Sequence, residues 1–207
     1  KSNWRSSYLM KEKSTLNHYN QQAEKYYKQT VNVDLTALYP QFLKYLESKA
    51  HILDAGCGSG RDSLYFLEQG YQVTAVDAAK KLAQLAEDLI EQEVLKMRLE
   101  ELNFNSEFDG IWACASLLHL SNEEIKKVLK NFTQALVAEG IIYISLKYGQ
   151  QEEFRNGRFF NYHNEESWLN LMEGIEDLTI VELWQTGDLK EDGRDEKWLN
   201  VLLQKSK

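Results

Sequence analysis

The sequence predicts an α/β protein with a mostly parallel sheet of seven strands, an antiparallel C-terminal edge strand and helices on both faces. In residues 51–62 a short apolar strand leads into a glycine-rich turn that opens a helix. Residues 73–77 form a second apolar strand that ends in Asp77. Strand and helix patterns then alternate up to a terminal hairpin, which is typical of a parallel sheet with an antiparallel edge.

Residues 1–207 are predicted to form one domain. Its first 48 residues are predicted to be a helical cover on an α/β core that spans residues 49–207. Residues 4–29 are polar and aromatic and are interpreted as a helix. Asp34 is a candidate N-cap for the next helix. Pro40, the only proline, either kinks that helix or opens its second half.

The remaining elements follow from hydrophobic periodicity and from glycine and capping signals. Helices are predicted at 61–69, which Gly70 ends, and at 79–92, where apolar residues recur at helical spacing. Ser121 and Glu124 match a capping box before a helix to about Val137, and Gly140 separates that helix from a strand. Strands are predicted at 52–53, 71–77, 94–99, 108–113, 141–146, 178–185 and 197–203, a loop at 147–163 and a helix at 164–172.

Composition excludes several classes of protein. The chain has 207 residues, of which 43% are apolar and 27% charged, and two cysteines are too few for a disulfide framework. No apolar run approaches the roughly 20 residues of a membrane span. The net charge of −8 argues against a nucleic-acid partner. We expect a cytoplasmic monomer or homodimer that acts on a small molecule, with no membrane partner.

The glycine turn is a candidate ligand site. Gly56, Gly58 and Gly60 follow a G-x-G-x-G pattern, whereas a dinucleotide fingerprint has G-x-G-x-x-G. The pattern therefore favours an adenosyl ligand without a pyrophosphate. Asp77 would accept both ribose hydroxyls, and Asp54 would bind an ammonium group. The alternatives are a turn without a ligand and an Asp77 that only caps the next helix.

These segments, together with Phe108–His119, resemble the successive motifs of class I S-adenosylmethionine-dependent methyltransferases, of the small bacterial tellurite-resistance and ubiquinone-biosynthesis type. The resemblance implies a Rossmann-like fold and methyl transfer to a small acceptor by in-line displacement, with S-adenosylhomocysteine as product. It also implies a pair of tyrosines on a helix that covers the cofactor, and adenine contacts near Met97 and Arg98. The implied cofactor residues are Tyr19, Tyr26, Asp54, Gly56, Cys57, Gly58, Gly60, Arg61, Asp62, Asp77, Ala78, Met97, Arg98, Ala113 and Cys114.

Fewer sequence signals indicate which residues bind the methyl acceptor. His119 is the candidate general base because it follows the fourth strand, near which acceptors lie in this family; alternatively it hydrogen-bonds at the helix entry. The segment 147–163 should overhang the site, with arginines that could bind an acceptor carboxylate or phosphate, or it is a solvated loop. Arg194 could project into the same opening or be solvated. The candidate acceptor-binding residues are Tyr148, Arg155, Arg158 and Arg194.

Other reactions on related folds fit less well. The single proline excludes the Pro-Pro motif of DNA amino-methyltransferases, and Pro40 precedes Gln41 rather than the Cys of a cytosine-C5 enzyme. Asp109 lacks the further carboxylates of a metal-dependent enzyme, so no metal is expected. The glycine spacing and the absence of a Tyr-x-x-x-Lys pattern argue against an NAD-dependent oxidoreductase. The main alternative is a non-catalytic S-adenosylmethionine-binding protein, a sensor or partner subunit.

Overall fold

A computed structural model describes residues 14–187 and 196–207 of the chain. The helices are residues 14–21 (α1), Ala23–Thr30 (α2), Tyr39–Leu43 (α3), Arg61–Glu68 (α4), Lys80–Ile90 (α5), Asn122–Ala135 (α6) and Glu165–Met172 (α7). The strands are His51–Ala55 (β1), Gln72–Val76 (β2), Val94–Leu95 (β3), Phe108–Cys114 (β4), Leu136–Lys147 (β5), Glu152–Arg155 (β6), Arg158–Asn161 (β7), Leu178–Gly187 (β8) and Lys197–Lys205 (β9).

Seven strands form one mixed sheet in the order β3-β2-β1-β4-β5-β9-β8. The strands β1 to β5 pair in parallel, and β9 pairs antiparallel with both β5 and β8. The predicted mostly parallel sheet, completed at its edge by an antiparallel C-terminal hairpin, is confirmed. The chain order reverses between β1 and β4, and at such a switch point the strand ends leave a crevice for a ligand.

Helices cover both faces of the sheet, and adjacent residues of each strand point to opposite faces. Leu53 and Ile111 pack on the side covered by α6 and α7, whereas Ile52 and Trp112 pack on the side of α3 and α4. All four side chains are 0% exposed. This double burial explains why the strands read as continuous apolar runs.

The helix signals of the sequence are confirmed in part. Ser121 and Glu124 form the predicted capping box, with Ser121 N–H donating to the Glu124 carboxylate at 3.0 Å. Pro40 lies in the first turn of α3, so it opens a helix rather than kinking one. The N-cap prediction for Asp34 is wrong, because its carboxylate accepts Thr36 N–H at 2.8 Å within a turn that precedes α3.

Several predicted boundaries differ from the structure, and three of these differences are larger than a shift of a few residues or concern the sheet. The helix predicted at 4–29 is interrupted at Gln22, and its residues 4–13 lie outside the described part of the chain. Strand β3 is only two residues long. Strand β5 begins at Leu136, because a register shift opposite Phe108 and Gly110 lets the chain pair before Gly140.

The loop predicted at 147–163 is wrong for most of its length. Strands β6 and β7 form a separate two-stranded hairpin in which Arg155 pairs with Arg158. Asn156 and Gly157 make the turn between them, with φ of 52° and 77°. Asn-Gly is the preferred pair for a two-residue turn of this kind, so the sequence carried a hairpin signal that its charged flanks obscured. Within the described residues, no helix has the length and apolar character that a membrane crossing requires.

Candidate active site

The glycine turn after β1 is attached to the end of β2. The N–H groups of Gly56 and Cys57 both donate to the Val76 carbonyl, at 2.8 and 3.0 Å. Gly56 has φ of +84°, and a Cβ there would lie 2.6 Å from Cβ of Ser116. Only glycine satisfies both constraints. The ends of the first two strands therefore lie side by side, with the segment after β4 packed against them.

Asp77 follows β2 and points at the turn. Its carboxylate accepts Gly58 N–H at 2.9 Å and Ala79 N–H at 2.8 Å. Burial raises the pKa of Asp77 to about 6, although these two hydrogen bonds oppose the shift. Each carboxylate oxygen keeps further acceptor capacity, so Asp77 both caps the chain after β2 and can receive ligand hydroxyls.

A second buried carboxylate, Asp62, lies at the start of α4. It accepts from Arg61 Nε at 2.6 Å, Tyr39 Oη at 2.8 Å and Trp112 Nε1 at 2.8 Å. Burial raises its pKa, but the Arg61 guanidinium and these donors outweigh burial and leave the pKa below its usual value. The result is a fixed, ionised pair at the floor of the site.

Asp54 lies beneath the glycine turn rather than in the opening above it. It is 2% exposed and accepts the Ser63 hydroxyl at 2.6 Å. Burial, together with the charge of Asp62, raises the pKa of Asp54. An enclosed carboxyl group with a raised pKa is poorly suited to bind an ammonium group. The role of Asp54 in binding an ammonium group stays a prediction.

Two adjoining cavities open at the carboxyl ends of the strands. The Asp77 cavity has a volume of about 170 Å³ and is lined by Asp77 together with Ala78, Met97, Arg98 and Ser116. The Arg158 cavity has a volume of about 200 Å³ and is lined by Arg158 together with Arg61, Asp62, Lys147 and Arg155. They share a common wall, formed by Tyr19, Tyr26, Gly56, Gly58, Cys114, Ala115 and His119.

His119 is held on both sides of its ring. Its Nδ1 lies 2.6 Å from the Phe159 carbonyl, and its Nε2 lies 2.7 Å from Tyr19 Oη. Because a carbonyl only accepts, Nδ1 carries the proton and Nε2 accepts from the tyrosine hydroxyl. Burial lowers the pKa of His119 to about 4. The imidazole is therefore neutral, and the lone pair of its Nε2 accepts the Tyr19 hydroxyl rather than facing the open cavity.

Most of the predicted site residues line one or both cavities. Four do not: Gly60 and Ala113 lie behind the wall, Asp54 lies below it, and the Tyr148 hydroxyl donates to Glu165 at 2.9 Å. Arg194 lies outside the described residues. Burial raises the pKa of Cys114 to about 12, so this wall residue is a thiol.

Sequence reasoning missed residues that reach the site from distant elements. Ser145 Oγ accepts Ala115 N–H at 2.8 Å and fixes the segment after β4. Tyr143 and Asn200, joined by a 2.7 Å hydrogen bond, line the far end of the Arg158 cavity. Both lie in the middle of predicted strands, where nothing in the sequence marks a residue that faces a ligand. The α2 residues Gln29 and Thr30 were also missed, because the sequence does not show which residues at the end of a helix face a cavity.

A model of the methyltransferase domain family matches residues 52–140. YqeM of Bacillus subtilis, named as a methyltransferase, is 23% identical over 70% of this chain and 64% of its own length. The crystal structure of Burkholderia thailandensis 1,6-didemethyltoxoflavin-N1-methyltransferase, with S-adenosylhomocysteine bound, superposes with a TM-score of 0.76 at 21% identity, over 98% of this chain and 89% of that one. Residues 52–140 are therefore similar to a methyltransferase domain, and the chain has the fold of S-adenosylmethionine-dependent methyltransferases.

This similarity agrees with the resemblance in the glycine turn and in the segment after β4. A ubiquinone biosynthesis O-methyltransferase of Rickettsia bellii is 31% identical over 47% of this chain and 42% of its own length. The chain thus spans less than two thirds of the Bacillus and Rickettsia relatives. S-Adenosylmethionine is the cofactor of the family.

Proposed function

We propose that this protein transfers the methyl group of S-adenosylmethionine to a small-molecule acceptor. The observation that carries the proposal is the pair of adjoining cavities with a common wall at the ends of β1, β2 and β4. The Asp77 cavity fits the adenosine part of the cofactor, and the Arg158 cavity leaves room for an acceptor. The wall between them is where the two reacting groups would meet.

The residues present fit this cofactor. A Cβ at Gly58 would lie 3.5 Å from the Tyr26 ring, so the absent side chain leaves the turn open to a ligand that Tyr26 can cover. Asp77 keeps acceptor capacity for ribose hydroxyls. Ser116 Oγ is buried in the Asp77 cavity with no hydrogen-bond partner among the described residues, as expected for a group that awaits a ligand. Met97 and Arg98 would border the adenine.

Bound S-adenosylmethionine supplies a methyl group that is already activated as a sulfonium. The chain therefore has to align the acceptor and exclude water, and orientation of this kind can lower a barrier by roughly 7–11 kcal/mol in favourable cases. Helix α1 contributes to enclosure, because Ser14 Oγ donates to the Gly157 carbonyl at 3.0 Å and connects the helix to the β6–β7 hairpin.

The proposed base, His119, would act through Tyr19. While the tyrosine hydroxyl donates to Nε2, an acceptor can reach only the tyrosine oxygen. A proton released by the acceptor would pass to Tyr19 as the tyrosine proton passes to His119. Because the pKa of His119 is lowered by burial, this imidazole is a weak base. It suits an acceptor atom that becomes strongly acidic on methylation, rather than one that must ionise first.

Release of S-adenosylhomocysteine tests the proposal. Purified protein is incubated with S-adenosylmethionine and a panel of small phenols, amines, thiols and acids, and the product is measured by mass spectrometry. We expect acceptor-dependent S-adenosylhomocysteine from the wild type and none from Asp77→Ala at the same cofactor concentration. Binding of the cofactor without product for any acceptor would favour the sensor or partner-subunit alternative. Binding of NAD instead would contradict both.

A further inference from the structure

The β6–β7 hairpin places two arginines opposite each other at the opening of the Arg158 cavity. Arg155 and Arg158 are paired residues on either side of the two-residue turn, and both line the cavity. Like charges at directly opposed strand positions destabilise a hairpin. The chain must therefore compensate these charges, and it does so differently for the two side chains.

Arg155 is compensated within the protein. Its NH2 group lies 3.3 Å from Glu196 Oε1, and its Nε lies 3.9 Å from Glu153 Oε1. The other oxygen of Glu196 forms an ion pair with Lys147. Glu196 thus bridges two of the three cations at this end of the cavity.

Arg158 has no such partner within residues 14–187 and 196–207. No carboxylate of these residues forms an ion pair with it, and the one hydrogen bond that it makes to them is a long contact of 3.5 Å from NH1 to Tyr19 Oη. Its Nε is buried and has no hydrogen-bond partner among the described residues. A guanidinium has five N–H donors in a fixed planar array, so most of this array is available to a ligand.

The orientation of Arg158 is nevertheless fixed. Its guanidinium carbon lies 5.1 Å from the centroid of the Phe160 ring and 5.7 Å from that of Tyr19. Phe160 is 3% exposed, and the Tyr19 hydroxyl is held by His119. Contacts with two anchored aromatic rings restrict the side chain, which lowers the entropy cost of binding a ligand.

The cavity as a whole favours an anion. Its described lining includes the cations Arg61, Lys147, Arg155 and Arg158 but only the carboxylates Asp62 and Glu196. This positive excess occurs in a chain of net charge −8. Electrostatic attraction into the cavity is therefore a local property that the overall charge conceals.

We propose that the methyl acceptor carries an oxyanion, a carboxylate or a phosphate, that binds the guanidinium of Arg158 in a bidentate manner. The body of the acceptor would lie against the apolar lining of the cavity, which includes Val33, Leu35 and Trp198. The substrate class is thus small organic acids with an apolar body. This inference rests on the proposed methyl transfer, because it takes the Arg158 cavity as the acceptor side.

Calorimetry with defined probes tests the inference without requiring turnover. Protein saturated with S-adenosylhomocysteine is titrated with benzoate, with phenyl phosphate and with the neutral isostere benzamide. We expect at least one anion to bind about tenfold or more tightly than benzamide, and the preferred anion distinguishes a carboxylate from a phosphate. Equal affinity for the three probes would overturn the inference.

Four variants assign the anion preference to one side chain. Arg158→Gln should remove it, and Arg158→Lys, which keeps the charge but not the planar array, should retain part of it. Arg155→Gln tests the compensated arginine, and Lys126→Gln makes the same charge change at an exposed position of α6. Arg155→Gln should weaken anion binding less than Arg158→Gln does, because Glu196 already compensates the charge of Arg155, and Lys126→Gln should bind the anion within about threefold of the wild type.

Two results would overturn the assignment to Arg158. One is an unchanged anion preference in Arg158→Gln, with Arg158→Lys as the check if the first variant does not fold. The other is a weaker affinity of Arg158→Gln for S-adenosylmethionine with anion binding intact, which would place the cofactor carboxylate on Arg158. If the wild-type protein binds the anion but releases no S-adenosylhomocysteine, the proposed function alone is contradicted.

Discussion

Most polar groups of the Asp77 cavity come from one continuous part of the chain, whereas those of the Arg158 cavity come from both ends and from the middle of the chain. The glycine turn, Asp77 and His119 come from successive strand ends in the first half of the sheet. Thr30, Arg158 and Glu196, which line the Arg158 cavity alone, are far apart in sequence and meet only in the folded chain. Local backbone geometry determines the first cavity, and tertiary packing determines the second.

This contrast predicts which changes damage the fold and which damage only binding. Groups of the Asp77 cavity are also structural, because they join the ends of β1 and β2. Arg155 and Arg158 of the Arg158 cavity lie on a hairpin that is separate from the sheet. Substitutions on the first side should therefore reduce stability or cofactor affinity, and those on the second should change acceptor recognition.

The largest effect is expected for Gly56→Ala. The new Cβ would lie 2.6 Å from Cβ of Ser116, and φ is +84°. Strain and overpacking together should lower the free energy of unfolding by about 2–5 kcal/mol. Gly70→Ala is the matched control, because Gly70 has φ of +86° but open space around it. Urea denaturation of both variants would measure the difference, and equal losses would show that the close approach to Ser116 is unimportant.

Asp77→Ala should weaken S-adenosylmethionine binding by more than about tenfold, because the variant loses charged hydrogen bonds to the ribose. Calorimetry measures this directly. Asp77→Asn serves as the control for the turn, since its amide oxygen can still accept from Gly58 or Ala79. An unchanged cofactor affinity in Asp77→Ala would remove Asp77 from the ribose site.

Tyr19→Phe should lower kcat by about threefold to tenfold while cofactor affinity stays close to that of the wild type, because one hydrogen bond to His119 is lost. Steady-state kinetics with an identified acceptor would separate the two effects. Tyr45→Phe removes a comparable hydroxyl contact to Glu182 at the surface and should leave kcat unchanged. A normal kcat in Tyr19→Phe would exclude the proposed path to His119.

The smallest effect is a pH dependence of cofactor affinity. The pKa of Asp77 is raised by burial to about 6, and the ionised form is the better acceptor for ribose hydroxyls. Affinity should therefore be full above that pH and decline as the pH falls through it, by at most about tenfold per unit. Calorimetry between pH 5 and 8 measures this slope, which Asp77→Asn should lack. A decline in that variant would assign the dependence to another group.

The same contrast explains what the sequence could predict. The glycine turn, Asp77 and the capping box of α6 are short-range patterns in which each residue's role depends on near neighbours, and the structure places them as expected. The pair of Tyr19 and Tyr26 was implied by the resemblance to the methyltransferase family. The order of strands followed from the alternation of elements.

The acceptor side could not be read in the same way. Tyr148 was predicted there but donates to Glu165, and the bridge that Glu196 forms between Lys147 and Arg155 depends on the register of β5 with β9. Nothing local distinguishes Arg155 from Arg158, although only Arg155 forms an ion pair with a carboxylate of the described residues. The hairpin signal of Asn156 and Gly157 was available, and charged flanking residues led to a prediction of a loop instead.

A crystal structure of the protein with S-adenosylhomocysteine tests the central claim most directly. We predict the ribose hydroxyls on Asp77, the adenine beside Met97 and Arg98, and the sulfur at the wall formed by Cys114 and Ala115, with Arg158 free of the ligand. A nucleoside bound away from the ends of β1 and β2, or a homocysteine carboxylate on Arg158, would contradict the assignment of the two cavities.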